Sequence, residues 1–298
     1  MRSARASLIF AFASVYLIWG STYLAMHIMV ETLPPFLAAG LRHGIAGLLL
    51  LAFCALRGKP IPTSLRAWAG PAWLGILFLA LGNGVATWAM RSVQSGVGAL
   101  IIAVVPLMAA GFEAFGPQKK RLPPLLWLSL ATGLAGMAWL VAPHLQGAEG
   151  KGNTWGVAAL FWAALCWAWG GVTARDVSQP ADAGVSGGMQ MLAGGLALIL
   201  AGLIAGEGSA LSWQAASARS LWALAYLIGF GSLVAYTSFQ WLLRVAEPAK
   251  VTTYAYVNPV VAVFLGWWIL KEPVTLQTLL ASLVVTGSVA VAVSVKRV

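Results

Sequence analysis

The chain carries very little charge, and acidic residues are the scarcest part of it. Only 9% of its 298 residues are charged, with 8 Asp and Glu against 18 Lys and Arg, whereas about a quarter of the residues in ordinary soluble domains are charged. So few charged side chains cannot cover a soluble surface. The Lys and Arg residues are scattered through short segments and do not cluster beside exposed aromatic residues, so we expect no nucleic-acid partner.

The sequence also lacks the motifs of the common nucleotide-dependent and metal-dependent proteins. Residues 58–60 read Gly-Lys-Pro, and no GxxxxGK[ST] loop occurs, so ATP-driven transport by the chain itself is not supported. No HExxH pattern, paired cysteines or histidine cluster predicts a metal site. Cys54 and Cys166 each lie in an apolar run, as is typical of free buried thiols. We therefore predict no metal and no cofactor, and an enzyme is disfavoured.

Long apolar segments make up most of the chain. Hydrophobic residues account for 60% of it, and the mean hydropathy is +0.85. A helix needs about 20 mostly apolar residues to cross a membrane. On this measure we predict an all-α integral membrane protein with ten transmembrane helices, at residues 7–29, 35–56, 68–90, 93–115, 123–142, 154–174, 183–205, 219–243, 249–270 and 274–295.

The distribution of Lys and Arg predicts the orientation of these spans, because short cytoplasmic loops carry an excess of positive residues. With the N-terminus inside, thirteen of them fall on the cytoplasmic side, four fall on the outer side, and Arg42 lies inside the second span. The thirteen are Arg2, Arg5, Arg57, Lys59, Arg66, Lys119, Lys120, Arg121, Arg175, Arg244, Lys250, Lys296 and Arg297; the four are Arg91, Lys151, Arg219 and Lys271. Both termini are therefore predicted to be cytoplasmic.

The sequence repeats its own layout after about 150 residues. The stretch 249–291 resembles the stretch 95–140, so that Pro259 corresponds to Pro106, and Trp169 corresponds in the same way to Trp19. We predict two repeats, residues 1–146 with the first five helices and residues 147–298 with the last five. Because five is an odd number, the second repeat must be inverted in the membrane. Inverted repeats are typical of secondary transporters that bind their substrate near the bilayer midplane.

The second half carries a more specific signature. Asn258-Pro259 is followed by VVAVFLGWWILKEPVT and then by the helix of Gly287, and residues 19–22 read Trp-Gly-Ser-Thr. These motifs resemble the EamA-domain branch of the drug/metabolite transporter superfamily, and the likeness covers essentially the whole chain. The resemblance implies five helices per repeat and export of metabolites, most like that of the aromatic amino acid exporters. The first repeat lacks an acidic residue at the position corresponding to Glu272, so the two halves need not be functionally equivalent.

Aromatic residues form stripes in the first and sixth spans. Trp19 and Tyr23 share one helical face, and Trp169 lies in the corresponding stripe of the sixth span. Such faces can line a cavity in which flat ligands stack on aromatic rings, and we predict Trp19, Tyr23 and Trp169 as substrate-binding residues. The alternative is that these side chains face lipid or the membrane interface, where Trp and Tyr are also enriched.

Uncharged polar residues supply the rest of the predicted substrate site. Asn83 and Thr87 lie four residues apart in the third span, and Tyr236 and Gln240 have the same spacing in the eighth. Each pair shares one helical face and can hold a zwitterion without a buried charge, although such groups also bond helix to helix. In the ninth span Tyr256 is the tyrosine that we predict to face the cavity.

Two prolines lie deep in the fourth and ninth spans. Pro106 and Pro259 each remove one backbone hydrogen bond from their helix. We predict kinks there that act as hinges for alternating access. The alternative is a fixed bend that only shapes the helix bundle.

Three ionisable residues lie within predicted spans. Arg42 could bind a substrate carboxylate, extend to the membrane interface or pair with Glu113. Histidine titrates near neutral pH, so His43 could couple transport to protons, but a packed, hydrogen-bonded His43 is favoured. Glu113 could move protons or pair with Lys119 and Lys120, and the pair is favoured. These three residues are candidates for a coupling or a structural charge.

Together these features predict a secondary exporter of small metabolites, among them aromatic amino acids, that works by alternating access around a midplane cavity. We expect it in the inner (plasma) membrane, with a small-molecule substrate and membrane lipid as its partners, and a monomer suffices. One alternative is efflux of amphipathic cations or drugs, for which a midplane carboxylate would be expected. Another is a membrane structural or lipid-handling protein without a gated solute pathway.

Overall fold

The computed structural model describes residues 2–115, 123–145, 153–174, 176–212, 214–246, 251 and 253–294, and these residues form helices and connections without any strand. The helices are α1 Ala6–Met29, α2 Pro35–Leu56, α3 Leu65–Ala89, α4 Ser95–Phe115, α5 Pro124–Ala142, α6 Thr154–Thr173, α7 Ala183–Ile204, α8 Ala218–Val245, α9 Tyr254–Leu270 and α10 Leu276–Ser294. A further single turn of helix, Glu207–Ala210, lies between α7 and α8.

Nine of the described helices are long and apolar enough to cross a membrane, and α9 is a shorter apolar helix. The sequence predicts ten spans, and the bounds of the other nine agree with the structure within a few residues. The predicted ninth span begins at residue 249, and residues 249, 250 and 252 lie outside the described part of the chain. A run of apolar residues of membrane length is thus enough to locate these helices.

Helices α2 and α7 share the most extensive contact of any helix pair in the described part of the chain. Their contact runs through glycines that stack backbone against backbone. A Cβ atom added to Gly195 would overlap the amide nitrogen of Gly44 and would lie 2.8 Å from its Cα atom and 3.0 Å from the carbonyl oxygen of Gly40. Small residues at such crossings are a general feature of membrane helix pairs, because they allow close approach of the two backbones.

The neighbours of each helix follow a regular scheme. Helix α2 packs along α7, α5 along α10, and α4 against α9. Helix α1 packs against α8 and α9, just as α6 packs against α3 and α4. The scheme is symmetric between the first five helices and the last five. When α1 is exchanged with α6, α2 with α7, and so on to α5 with α10, the same pairs of neighbours are obtained.

Two glutamates from connecting segments bind the N-termini of distant helices. The carboxylate of Glu272 accepts hydrogen bonds from the backbone N–H groups of Ser95, at 2.7 Å, and Gly96, at 3.2 Å, where α4 begins. Glu207 does the same for Phe36, at 3.3 Å, and Leu37, at 2.9 Å, where α2 begins. The first N–H groups of a helix have no partner within the helix, and the helix dipole favours negative charge there. These carboxylates therefore tie the second half of the chain to the first.

Asp182 plays a similar part at the start of α7. Its carboxylate accepts hydrogen bonds from Gly184 N and Val185 N at 2.9 and 3.1 Å and lies 3.3 Å from the Lys59 ammonium group. Partial burial acts to raise the pKa of Asp182, but the two amides and the lysine outweigh it and hold the pKa below its usual value.

Removing the Glu272 carboxylate should lower the stability of the protein. Glu272→Ala leaves two helix-terminal N–H groups without their acceptor, and the loss of a helix cap costs about 0.5–2 kcal/mol. We expect a lower unfolding temperature of the detergent-solubilised protein. The matched control is Glu31→Ala, because Glu31 makes a 3.7 Å ion pair with Arg219 in a solvent-accessible position, where such pairs contribute little. Equal melting temperatures for the two variants would contradict this role of Glu272.

Candidate functional site: a central cavity

A cavity of about 80 Å³, large enough for several water molecules, lies among seven of the helices. Its walls come from α1, α2, α3, α4, α6, α8 and α9. The lining residues are Trp19, Thr22, Tyr23, Met26, Arg42, His43, Leu79, Gly82, Asn83, Ala86, Ala99, Ile102, Ala103, Val105, Ala163, Trp167, Gly231, Ser232, Tyr236, Tyr254, Ala255, Asn258 and Pro259. The lining is mostly apolar with a few polar groups, which is the usual composition of a small-molecule site.

Trp19 is the centre of an aromatic cluster at this cavity. Its ring meets those of Trp167, at 6.0 Å between centroids, and Tyr254, at 5.3 Å, both edge to face. It also contacts Phe239 at 4.9 Å and Tyr236 at 6.4 Å. Aromatic pairs at such separations attract each other beyond their area of contact. The cluster therefore joins α1, α6, α8 and α9 through one side chain.

A group of polar side chains from α2, α3 and α8 also lines the cavity. Arg42 is 3% exposed; its Nε donates to Ser232 Oγ at 3.0 Å and its Nη1 to Asn83 Oδ1 at 3.2 Å. His43 Nε2 lies 3.1 Å from the same Asn83 oxygen, and His43 Nδ1 is buried with no hydrogen-bond partner among the described residues. Since Oδ1 can only accept, Nε2 carries a proton here.

The backbone of the cavity wall departs from regular α-helix at matching places. Helix α3 is a π-helix over Ile76–Gly84, and α8 is one over Leu227–Tyr236. Both stretches supply lining residues, among them Asn83 and Ser232. π-Helical turns are rare and are frequently found at functional sites, which supports a functional role for the cavity.

The two prolines also act on the cavity wall. Pro259 lies inside α9, and Pro106 follows a break in α4 at residues 103–104. Each proline cannot donate to the carbonyl group four residues earlier. Those carbonyl groups belong to Ala255 and Ile102, and both residues line the cavity.

The comparisons with known proteins agree with this architecture. The model of the EamA-like transporter family matches residues 6–142 and 154–294. The chain belongs to the EamA-like transporter family. A relative from Escherichia coli strain K12, the uncharacterized inner membrane transporter YedA, is 41% identical over 259 residues, which cover 86% of this chain and 80% of YedA. The uncharacterized transporter YoaV of Bacillus subtilis strain 168 is 22% identical over 273 residues, or 91% of each chain.

A crystal structure is similar to this EamA-family chain over 97% of its length and 96% of the other chain, with a TM-score of 0.65 and 20% identity. That likeness concerns the fold alone. The family membership agrees with the motifs around Pro259 and with the helical structure. The chain is a multi-pass membrane protein of a transporter family.

Four of the eight predicted substrate-binding residues of this EamA-family protein line the cavity: Trp19, Tyr23, Asn83 and Tyr236. So do the predicted hinge residue Pro259 and the ionisable residues Arg42 and His43. The structure brings these residues from both halves of the sequence to one place.

The other four predicted substrate-binding residues do not border the cavity. Thr87 is fully buried and donates to Asn83 O at 2.8 Å. Gln240 donates to Gln190 Oε1 at 3.1 Å, an acceptor that it shares with Tyr236. Trp169 is 40% exposed and packs on Phe112, with 5.2 Å between the ring centroids.

Tyr256, the last of these four, is half-buried against the apolar core. The remaining predicted residues, Pro106 and Glu113, are buried and also lie outside the cavity lining. The proposed partners of Glu113, Lys119 and Lys120, lie outside the described residues.

The residues that sequence reasoning missed are Trp167, Tyr254 and Ser232. Trp167 lies two positions before Trp169 and therefore points to a different side of α6. Ala163, one helical turn earlier, is buried and lines the cavity beside Trp167. Small residues beside Trp167 on the same face of α6 were the sequence signal that could have indicated the cavity. An apolar stripe alone does not reveal the inside of a membrane helix, because its lipid face is apolar as well.

Proposed function

We propose that this protein is a secondary transporter that exports small metabolites, including aromatic amino acids, across the inner membrane by alternating access around the central cavity. The single observation that carries this proposal is the cavity itself, which is lined by helices of both halves and combines an aromatic cluster with a polar group. The names of its relatives as transporters support it further. A monomer with both termini in the cytoplasm is sufficient for this mechanism.

The proposed mechanism rests on two inverted repeats, residues 1–146 and 147–298. Three observations support this division. The helix neighbours are unchanged when each helix is exchanged for the one five positions later; the family model matches two stretches of similar length; and the π-helical stretches of α3 and α8 are about 150 residues apart, like the repeats. We propose that the two repeats rock against each other, with Pro106 and Pro259 as hinges.

The cavity lining favours amino acids over cations. No Asp or Glu occurs among the described residues that line it, whereas a site for amphipathic cations would be expected to include a carboxylate. Aromatic side chains such as those around Trp19 can stack on the ring of an aromatic amino acid.

Counterflow in proteoliposomes tests the proposal. Vesicles loaded with unlabelled phenylalanine, tryptophan, threonine or methylviologen are diluted into labelled phenylalanine, and entry of label is followed. We expect stimulation by phenylalanine and tryptophan. Stimulation by methylviologen alone would favour cation efflux. Stimulation by none of the four, with the protein shown to be folded, would favour a structural or lipid-handling protein.

A pair of tryptophans two residues apart offers a matched test of the cavity. Trp167→Phe should weaken phenylalanine counterflow several-fold, because Trp167 lines the cavity and its ring contacts Trp19. Trp169→Phe should change it much less, since Trp169 lies outside the lining. Initial rates over a range of phenylalanine concentrations measure both effects. The opposite order would show that the substrate binds at another face of α6.

A further inference from the structure

Arg42 is the only Lys, Arg, Asp or Glu among the described residues that line the cavity. Both of its hydrogen-bond partners, Ser232 and Asn83, are neutral. No carboxylate of the described residues forms an ion pair with it. A buried cation within a membrane is costly unless it is paired, and such residues usually mark a functional site. The positive charge is therefore available to a ligand.

The guanidinium group is held in a fixed orientation with one nitrogen to spare. Nε and Nη1 are used by Ser232 and Asn83, but no hydrogen bond among the described residues involves Nη2. The Asn83 oxygen is positioned by His43 Nε2 as well as by Arg42. A side chain held through two other nitrogens in this way is pre-organised, and a ligand that binds Nη2 need not order it.

Gly231 brings this nitrogen and the aromatic cluster to the same part of α8. A Cβ atom added to Gly231 would lie 3.1 Å from Arg42 Nη2. The carbonyl oxygen of the same residue accepts a hydrogen bond from Trp19 Nε1 at 3.2 Å. One glycine thus has the cation beside its Cα atom and the indole ring beside its carbonyl group.

We propose that Arg42 Nη2 binds the carboxylate of the substrate while the Trp19 cluster holds its aromatic ring. Arginine is suited to this because its planar group donates charge-assisted hydrogen bonds to carboxylates. The inference rests on the proposed function and narrows its substrate class to aromatic carboxylates. The α-ammonium group is dispensable, since no described acidic residue in the lining would bind it. Aromatic acids without an amino group should bind, whereas aromatic amines and esters should bind more weakly.

The test compares four ligands that share a phenyl ring with inorganic phosphate, which has none. The unfolding temperature of the purified protein is measured with phenylalanine, phenylacetate, phenylalanine methyl ester, phenylethylamine and inorganic phosphate, since a ligand of the native state raises it with concentration. We expect stabilisation by phenylalanine and phenylacetate, and at least about tenfold weaker apparent affinity for the ester and the amine, equivalent to about 1.4 kcal/mol. If the ester or the amine bound as tightly as phenylacetate, the proposal would be overturned. If phosphate bound as tightly as phenylacetate, the proposed binding of the aromatic ring by the Trp19 cluster would be overturned.

Variants test the residue itself. Arg42→Gln should lose the preference for phenylacetate over phenylethylamine. Arg42→Lys should keep part of this preference, because lysine retains the positive charge but lacks the planar guanidinium group. Arg91→Gln is the control, because it removes the same charge from an exposed position. A full preference in folded Arg42→Gln would overturn the proposal.

The ligand series in the unmodified protein tests it even if that variant fails to fold. Amine and ester that bind as well as the acids, with phenylalanine counterflow intact, would refute the carboxylate subsite and leave the proposed function standing. Failure of every aromatic ligand to bind or to drive counterflow would refute the proposed function itself.

Discussion

Replacing Gly195 with alanine is expected to leave little folded protein. The added Cβ atom would meet the backbone of α2 at Gly44 and Gly40, with the nearest atoms overlapping and the next at 2.8 and 3.0 Å. Backbone atoms cannot move aside as a flexible side chain can, so α2 and α7 would have to separate. Overpacking costs about 1–3 kcal/mol where side chains can adjust, and here we expect at least the upper end of that range.

Gly44→Ala is the matched control for this prediction. Gly44 lies at the same helix crossing, but a Cβ atom added to it would meet no described atom within 4 Å apart from the adjacent backbone of its own helix. Because alanine is also the better helix former, this variant should fold as well as the unmodified protein. Fluorescence-detected size exclusion after heating measures both variants. A Gly195→Ala variant as stable as Gly44→Ala would show that the backbones of α2 and α7 are not in this contact.

Replacing Trp19 with alanine is expected to abolish phenylalanine counterflow and to lower the unfolding temperature. The indole ring contacts four aromatic rings on three other helices and donates a hydrogen bond to Gly231 O. Truncation of a tryptophan in a packed core costs about 3–5 kcal/mol. Loss of the donor also leaves a carbonyl oxygen without its partner.

Two further variants separate packing from substrate binding in this prediction. Trp19→Phe keeps an aromatic ring and should fold, but it lacks the Nε1 donor, so counterflow should fall while the protein stays intact. Trp267→Ala removes a tryptophan that is 53% exposed and whose ring pairs, among the described residues, with Phe264 alone, at 6.1 Å between centroids. This variant should leave both measurements nearly unchanged. Full counterflow in a folded Trp19→Ala protein would exclude the cluster from the substrate path.

The helices of this fold are predictable from the sequence because a membrane span imposes a simple requirement on it. About 20 apolar residues must follow one another. Breaks at Pro34-Pro35, Pro123-Pro124 and Glu272-Pro273 separate three pairs of neighbouring runs sharply. The contact of Glu272 with the start of α4 could not be predicted from the sequence. Its partners, Ser95 and Gly96, lie about 177 residues earlier in the chain, and no local pattern connects them.

The internal repeat predicts the candidate site only in part. Asn83 and Tyr236 were found because they occupy related positions in α3 and α8, and both line the cavity. Trp169 was chosen by its correspondence to Trp19, but the structure brings Trp167 to the cavity instead. Helix α1 is π-helical over Ser14–Ile18, directly before Trp19, whereas α6 is regular α-helix. An extra residue in a turn rotates every later side chain about the helix axis, so the helical spacing of α1 does not carry over to α6.

The ionisable residues show the same limit. Arg42 and His43 could be recognised as unusual from their depth in a span. Their actual partners, Asn83 on α3 and Ser232 on α8, are up to 190 residues away in the sequence. Burial and hydrogen bonding of Arg42 therefore follow from packing of three helices, which the sequence pattern does not specify.

Protection of a cavity cysteine by substrate tests most directly whether the cavity is the solute path. Ile102 lines the cavity, and Ile102→Cys would be made with Cys54 and Cys166, both buried, replaced by alanine. Arg91→Cys, at an exposed position, is the control. Phenylalanine should slow labelling of Cys at position 102 by a small thiol reagent and leave the control unchanged. Unaltered labelling of the cavity position by a solute that the same protein transports would contradict the proposal.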